Sequence, residues 1–210
     1  MKFAIESDTI KALLLAAAKK DVRYYLNGIL FDVRATDAVA VTTDGHIMLA
    51  VPIVPELNEN GIGSYFPNQY IVPRDVLESI KPNKIVPLVF TFDPAARTVT
   101  IANAGTETTV KLIDGTFPEW RRAVPKTVTD KVTQFNAEYV ASFGKIYKLL
   151  GGKYSPAIRH NGDDNGSGGA GRVMLPDNAV GVIMPMRYDF QPLENPSWLE
   201  YPSANVSVAA

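Results

Sequence analysis

The residues that could do chemistry are few in this 210-residue chain, and their spacing is poor for catalysis. The only two histidines, His46 and His160, stand far apart and form no metal-binding pair of the H-x-x-x-H kind. Asp44-Gly45-His46 offers an acid beside a base, but neighbouring turn residues point apart, and Asp-Gly is ordinary turn chemistry. There is no cysteine, hence no thiol nucleophile, zinc–thiolate site or disulfide framework. No G-x-S-x-G, P-loop or G-x-G-x-x-G is present, and Gly151-Gly152 and Gly168-Gly169 match no phosphate cradle. The Gly-rich run Asn161–Gly171 carries Asp163, Asp164 and Asn165 but lacks the closing glutamate of a calcium loop, so it reads as a hairpin. Nothing supplies nucleophile, base and oxyanion donors together. The expectation is a binding protein, not an enzyme, with no cofactor and no metal.

Two other groups of residues suit binding. One is apolar and methionine-rich: Val182-Ile183-Met184-Pro185-Met186, followed by Arg187. Methionine adapts its shape to varied partners. The other is basic: Lys11, Lys19, Lys20 and Arg23 on or after a first helix, with Tyr24 and Tyr25; Lys81 and Lys84 after a second; Lys145 and Lys148 on a third. Taken singly, each lysine suits a solvated helix face. A net charge of only −1 still leaves room for a local basic stripe.

The elements that must position these groups follow a repeating order. Lys2–Glu6 alternates as a strand, and Ser7 and Asp8 open a helix over Ile10–Lys20, where Lys19 and Lys20 suit the negative end of its dipole. Three strands follow: Ile29–Arg34, Val39–Thr43 and Met48–Val54. After a loop over Pro55–Pro67 the order recurs as Tyr70–Val72, a helix over Pro73–Ile80, and strands Val86–Phe92, Arg97–Ala102 and Glu107–Ile113. It recurs again as Val132–Phe135, a helix over Glu138–Leu150 with Val140, Phe143, Ile146, Tyr147 and Leu150 on one face, and strands Ala157–Arg159, Arg172–Leu175 and Ala179–Met184. This is strand-helix-strand-strand-strand three times, at a period of roughly 60 residues. Two units make a complete domain over 1–125, a third makes a half-domain over 126–188, and 189–210 is a tail without periodicity.

Between the second and third units lies Asp114–Lys126, with Phe117 and Trp120 beside two arginines and bracketed by Pro118 and Pro125. Large aromatics are rarely left in water, so this connector packs. Whether it merely lies on its neighbours or forms one wall of a binding site is open from composition alone. Hydrophobic content of 46% and charged content of 20% fit a water-soluble globular chain. The N-terminus has no signal-peptide character, and Leu13–Ala18 is too short to span a bilayer, so the expected compartment is the cytoplasm, away from membranes.

Four motifs in register, Asp21–Gly28, Thr43-Asp44-Gly45-His46, Ile71-Val72-Pro73-Arg74 and Asp114–Lys126, resemble the middle domain of the bacterial DNA sliding clamp, the beta subunit of the replicative polymerase. Phe135–Val140 and Val182–Arg187 resemble its last half-domain. The resemblance implies an α+β DNA-clamp fold with sheets outside and helices on one face. It implies a homo-oligomer, dimer or tetramer, around duplex DNA, with Lys11, Lys19, Lys20, Arg23, Tyr24, Tyr25, Lys81, Lys84, Lys145 and Lys148 gathered into a lining that contacts phosphate without reading bases. It also implies a pocket for short peptides, roughly Gln-x-x-Leu-Phe, carried by polymerases, clamp loaders and repair proteins. The matching pocket positions are Leu26, Thr43, Gly45, His46, Ile47, Met48, Pro118, Arg122, Ala123, Tyr139, Val182, Ile183, Met184, Pro185, Met186 and Arg187. Ile47 replaces the usual arginine, Tyr188 the usual final leucine, and Ala123 a larger valine, which implies a roomier pocket. The first domain of the family and half of its third have no counterpart here. Two chains pairing their leftover halves would restore a third domain, and two such dimers could close a ring. The alternative is a peptide-binding decoy that competes with a full-length clamp and does not encircle DNA.

Overall fold

The computed structural model describes residues 1–34, 37–55, 68–81, 83, 85–127, 133–162 and 168–186. The first unit comprises β1 (Lys2–Ile5), α1 (Ser7–Ala16), β2 (Gly28–Val33), β3 (Ala38–Thr43) and β4 (Ile47–Ile53). The second comprises β5 (Asn68–Pro73), α2 (Arg74–Ser79), β6 (Leu88–Asp93), β7 (Thr98–Asn103) and β8 (Thr106–Lys111). The third comprises α3 (Ala137–Leu149), β9 (Ile158–Gly162), β10 (Gly168–Met174) and β11 (Val180–Ile183). The third unit departs from the expected order: residues 133–135 of the expected strand Val132–Phe135 form none.

The strands do not stay with their own units. A four-stranded sheet runs β1-β6-β7-β8, and a seven-stranded sheet runs β5-β2-β3-β4-β11-β10-β9. Each of the first two units lends its first strand to the other's sheet. The larger sheet then crosses the connector through an antiparallel β4–β11 pair, with Met48 opposite Val182 and Ile47 opposite Ile183. All pairings between these strands are antiparallel.

One core unites both sheets and all three helices. Its centre is aromatic: Phe31 lies within 5.9 Å of Phe3, 5.1 Å of Phe90 and 4.9 Å of Phe92. Ile10, Leu13 and Ala16 enter it from α1, Leu77 from α2, and Phe143, Ile146 and Leu150 from the α3 region. Residues three and four apart share a helix face, which explains the α3 set. Val140, expected on that face, is instead 37% exposed, because it sits at the first turn, beyond the sheet's cover. Asn136 caps α3 by accepting a hydrogen bond from the Glu138 amide at 2.8 Å.

Helix α1 ends at Ala16, four residues before the expected Lys20. Ala17 turns extended, and its carbonyl accepts a hydrogen bond from the Arg74 guanidinium at 2.6 Å. The Ala18 amide donates to the Thr43 carbonyl. Tertiary partners thus take the backbone groups a further helical turn would have used. Lys19 and Lys20 therefore lie in the following turn, with Lys20 at φ 58°, and not at the helix end.

Candidate functional site

Strand β2 is buried at all six positions. Alternation sends Ile29, Phe31 and Val33 into the main core, and Leu30 and Asp32 to the opposite face. That face is not open to water because the connector lies on it. Phe117, Trp120 and Val124 pack there with Leu26, Leu30, Val41, Met48, Ala50, Ile71 and Val182 in a second apolar cluster. The connector is therefore packed onto the sheet and is not a free tether.

Its anchor is Asp32, a buried acid in an otherwise apolar strand. Trp120 Nε1 donates to Asp32 Oδ2 at 2.9 Å, Arg121 Nη1 donates to the same oxygen, and the Arg121 guanidinium lies 4.1 Å from the Trp120 ring centroid. Burial pushes the Asp32 carboxyl up, but the hydrogen bonds from Arg121 and Trp120 outweigh it and hold it below the usual carboxylate range. Neither Asp32 nor Arg121 was singled out from sequence. The available signal was a lone acid inside Gly28–Val33, since a buried charge needs a partner.

The β3–β4 turn forms the opposite rim. Gly45 has φ 92°, Thr43 Oγ1 donates to the Ile47 carbonyl at 2.6 Å, and Asp44 Oδ1 accepts from the His46 and Ile47 amides at 2.8 Å. Asp44 thus does turn work and makes no acid–base pair with the His46 ring. Arg23 braces this turn: it forks onto Asp21 and donates to the Asp44 carbonyl at 3.2 Å. A Cβ on Gly45 would stand 2.8 Å from Arg23 Nη2, the far end of a flexible side chain that can shift, so it is the positive φ that calls for glycine there. The side-chain hydrogen bond from Arg23 lowers Asp21 to about 2.

The third unit closes the site. Met184 N donates to the His46 carbonyl at 2.8 Å, and the His46 ring stacks on Tyr139 of α3, with centroids 5.6 Å apart at 16°. Met48, Val182 and Leu26 are buried together in the second cluster. Pro118, Arg122, Ala123, His46, Met184 and Met186 are exposed around it, and Thr43, Tyr139 and Pro185 are half-buried. Ile47 and Ile183 belong elsewhere: strand alternation places both in the main core, on the other side of the sheet from Met48 and Val182. Arg187 lies outside the described residues.

The basic residues divide by partner. Arg23 is committed to Asp21, Lys11 pairs with Asp8 at 2.7 Å, and Lys19 reaches Glu78 at 3.9 Å. Lys20, Lys81, Lys145 and Lys148 are exposed; Lys84 lies outside the described residues. Tyr24 is 57% exposed, donates from its hydroxyl to the Asp114 carbonyl, and meets Tyr25 edge-on. Lys19, Lys20, Tyr24, Arg74 and Glu78 line an open groove of about 520 Å³. Among the described residues no group of three His, Asp or Glu could hold a metal ion, and no helix is long and apolar enough to cross a membrane.

A family profile described as DNA polymerase III beta subunit, central domain, matches residues 4–119. The beta sliding clamp of Vibrio cholerae is 33% identical over 164 residues, covering 75% of this chain and 41% of that protein. The DNA polymerase III subunit beta of Pseudomonas aeruginosa superposes with a TM-score of 0.65 at 21% identity, covering 90% of this chain and 67% of the other. The Helicobacter pylori beta clamp, solved with a DNA ligase peptide, gives 0.64 at 16% identity, covering 89% and 65%. The chain thus spans about two-fifths of the length of the Vibrio relative.

Proposed function

This chain belongs to the family of the DNA polymerase III beta subunit, the bacterial sliding clamp, and we propose that it is a non-catalytic protein that docks short peptides of replication or repair proteins at the junction of its first and third units. One observation carries the reading. The β4–β11 pair sets Met48 opposite Val182 in the cluster under the connector, while Arg122 of the connector and Met184 just past β11 are exposed. Peptide-binding sites of this kind combine an apolar floor with a few polar groups at the rim. The Helicobacter clamp was solved with such a peptide, and its fold is the one seen here.

The second part of the proposal is sequence-independent contact with duplex DNA by an oligomer, through Lys19, Lys20, Tyr24, Lys81, Lys145 and Lys148. Their exposure supports it, and the pairing of Arg23 and Lys11 with carboxylates reduces their part in it. The competing reading, a decoy that binds peptides without encircling DNA, is supported by the way Met48, the connector's Phe117 and Trp120, and Val182 of one chain already meet in a single cluster.

Binding of a fluorescent Gln-x-x-Leu-Phe peptide tests the shared core of both readings. Met184→Ala and Arg122→Ala are each expected to weaken it by roughly tenfold, the equivalent of about 1.4 kcal/mol. Unchanged affinity in both variants, or no binding by the wild type, removes the pocket assignment.

A further inference from the structure

One row of residues crosses the larger sheet on the face where the connector lies. Met48 of β4 stands opposite Val182 of β11, Val182 opposite Arg172 of β10, and Arg172 opposite Arg159 of β9. Met48 and Val182 are buried in the cluster under the connector, Arg172 is half-buried, and Arg159 is exposed. The row thus runs from covered to open. Alternation along each strand fixes the side on which the arginines stand. Val173, next to Arg172, belongs to the main core, and Ile158, next to Arg159, packs against it. Both arginines therefore face away from that core, on the side of Met48 and Val182. Met174, two residues along β10 from Arg172, stands on the same face and is exposed.

This arginine pair lacks what the other arginines have. Arg23 is matched by Asp21, Arg74 by Glu78, Arg97 by Asp114 and Arg121 by Asp32. Among the described residues neither Arg159 nor Arg172 has an ion-pair partner. Like charges directly opposite on neighbouring strands repel and weaken the pairing, so the arrangement costs stability until an anion joins it.

We infer that Arg172 and Arg159 bind a carboxylate of the docked peptide, so that this chain selects peptides carrying an acid close to their apolar anchors. The inference rests on the peptide-docking reading and names what that site selects. A guanidinium grips a carboxylate through two parallel hydrogen bonds, with a fork that a lysine does not offer. Neighbouring strands lie about 4.8 Å apart, which puts Arg172 about 5 Å and Arg159 about 10 Å along the row from Val182. An extended peptide advances about 3.3 Å per residue, so the acid falls within about three residues of the anchor. Met174 beside Arg172 favours a peptide over a bare anion, because it offers the neighbouring side chains an adaptable apolar contact. The phosphates of duplex DNA fit less well. Lys145 and Lys148 belong to α3, whose Phe143 and Ile146 pack on the opposite face of this sheet.

The test measures fluorescence anisotropy with four peptides. One is an end-capped Gln-x-x-Leu-Phe peptide with neutral residues throughout. Two others add a single aspartate before or after the motif. The fourth is the neutral peptide with a free C-terminal carboxylate. One of the three acid-bearing peptides is expected to bind the wild type about fivefold more tightly than the neutral one, with the gain shrinking at high salt. Which peptide gains distinguishes a side-chain acid from the chain terminus. Arg172→Gln should abolish the gain and Arg159→Gln reduce it, both leaving the affinity of the neutral peptide unchanged. Neither variant should lower the midpoint of urea unfolding, since each relieves a repulsion. Equal wild-type affinity for the neutral peptide and all three acidic ones, or a gain that survives Arg172→Gln, overturns the inference and leaves peptide docking standing. A lowered midpoint in Arg172→Gln that Asp163→Asn or Asp164→Asn reproduces also overturns it, because the pair then serves the chain's own acids. So does a smaller salt slope for duplex DNA in both arginine variants with the peptide preference unaltered, which assigns the pair to phosphate. A wild type that binds none of the four peptides removes the docking reading, and this inference falls with it.

Discussion

Asp32 shows how one side chain sets the geometry of the site. Its carboxylate holds both the Trp120 indole and the Arg121 guanidinium, and those two residues fix the connector over Met48 and Val182. Removing one partner of a buried charged network strands the others, at a cost of roughly 3 kcal/mol. Asp32→Ala is therefore expected to lower unfolding free energy by about that much in a denaturant titration, whereas Arg34→Ala, at an exposed neighbour, costs under about 0.5 kcal/mol. The pH dependence has a definite sign. The folded-state pKa of Asp32 lies below its ordinary value, so its contribution is present above the ordinary carboxylate range and is lost as pH falls through the lowered pKa. Between pH 4 and pH 2, as a rough window set by that ordinary value, wild type should lose more stability than Asp32→Asn. Parallel acid-unfolding curves would refute the assignment.

At the scale of the element, the connector Asp114–Lys126 is a structural part of the larger sheet's outer face. Tyr24 ties its start through the Asp114 carbonyl, Arg97 pairs with the Asp114 carboxylate at 2.7 Å, and Gly115 fits under Tyr25, where a Cβ would come within 2.9 Å. Phe117 and Trp120 then bury their rings. Trp120→Ala removes a large buried ring and one bond to Asp32, a loss of about 3 kcal/mol or more. Limited proteolysis should then cut within 114–126 faster than in the wild type, and peptide affinity should fall, while the far-ultraviolet dichroism of the helices stays near native. A connector that remains protease-resistant would mean that Phe117 and the Asp114 contacts suffice to hold it.

At the scale of the molecule, the proposed contact with DNA makes a prediction about salt. Each phosphate contact contributes about 0.9 to the slope of log affinity against log salt concentration. Replacing Lys19 and Lys20 together by alanine should reduce that slope by about 2 and weaken all duplex sequences alike. Arg23→Ala is expected to act differently: it removes the brace beneath the Thr43–His46 turn, so peptide binding should suffer while the salt slope of DNA binding changes little. Salt-independent binding to duplex DNA, or an unaltered slope in the double lysine variant, would exclude these lysines as phosphate contacts.

Much of this was legible in the residues, because it depends on local periodicity. The three helices, all but one of the strands, and the packing role of Phe117 and Trp120 follow from apolar spacing, turn residues and the cost of exposing aromatic rings. The motifs at Thr43–His46 and Val182–Met186 likewise mark two segments that the structure brings together, with the Met184 amide donating to the His46 carbonyl. Pairing between strands depends on contacts remote in sequence, and those were decided only by the tertiary structure. Nothing local tells that β1 joins β6, that β5 joins β2, or that β4 meets β11 and so carries one sheet across the connector. The same remoteness hid the early stop of α1, made by Arg74 and Thr43, and the fastening of the connector by Asp32. It also decided which face four of the pocket candidates occupy, since β4–β11 pairing puts Met48 and Val182 in the cluster under the connector and Ile47 and Ile183 in the main core. Local patterns choose elements because their energies are set within a few residues. Pairing is chosen by burial and hydrogen bonding summed over the whole chain.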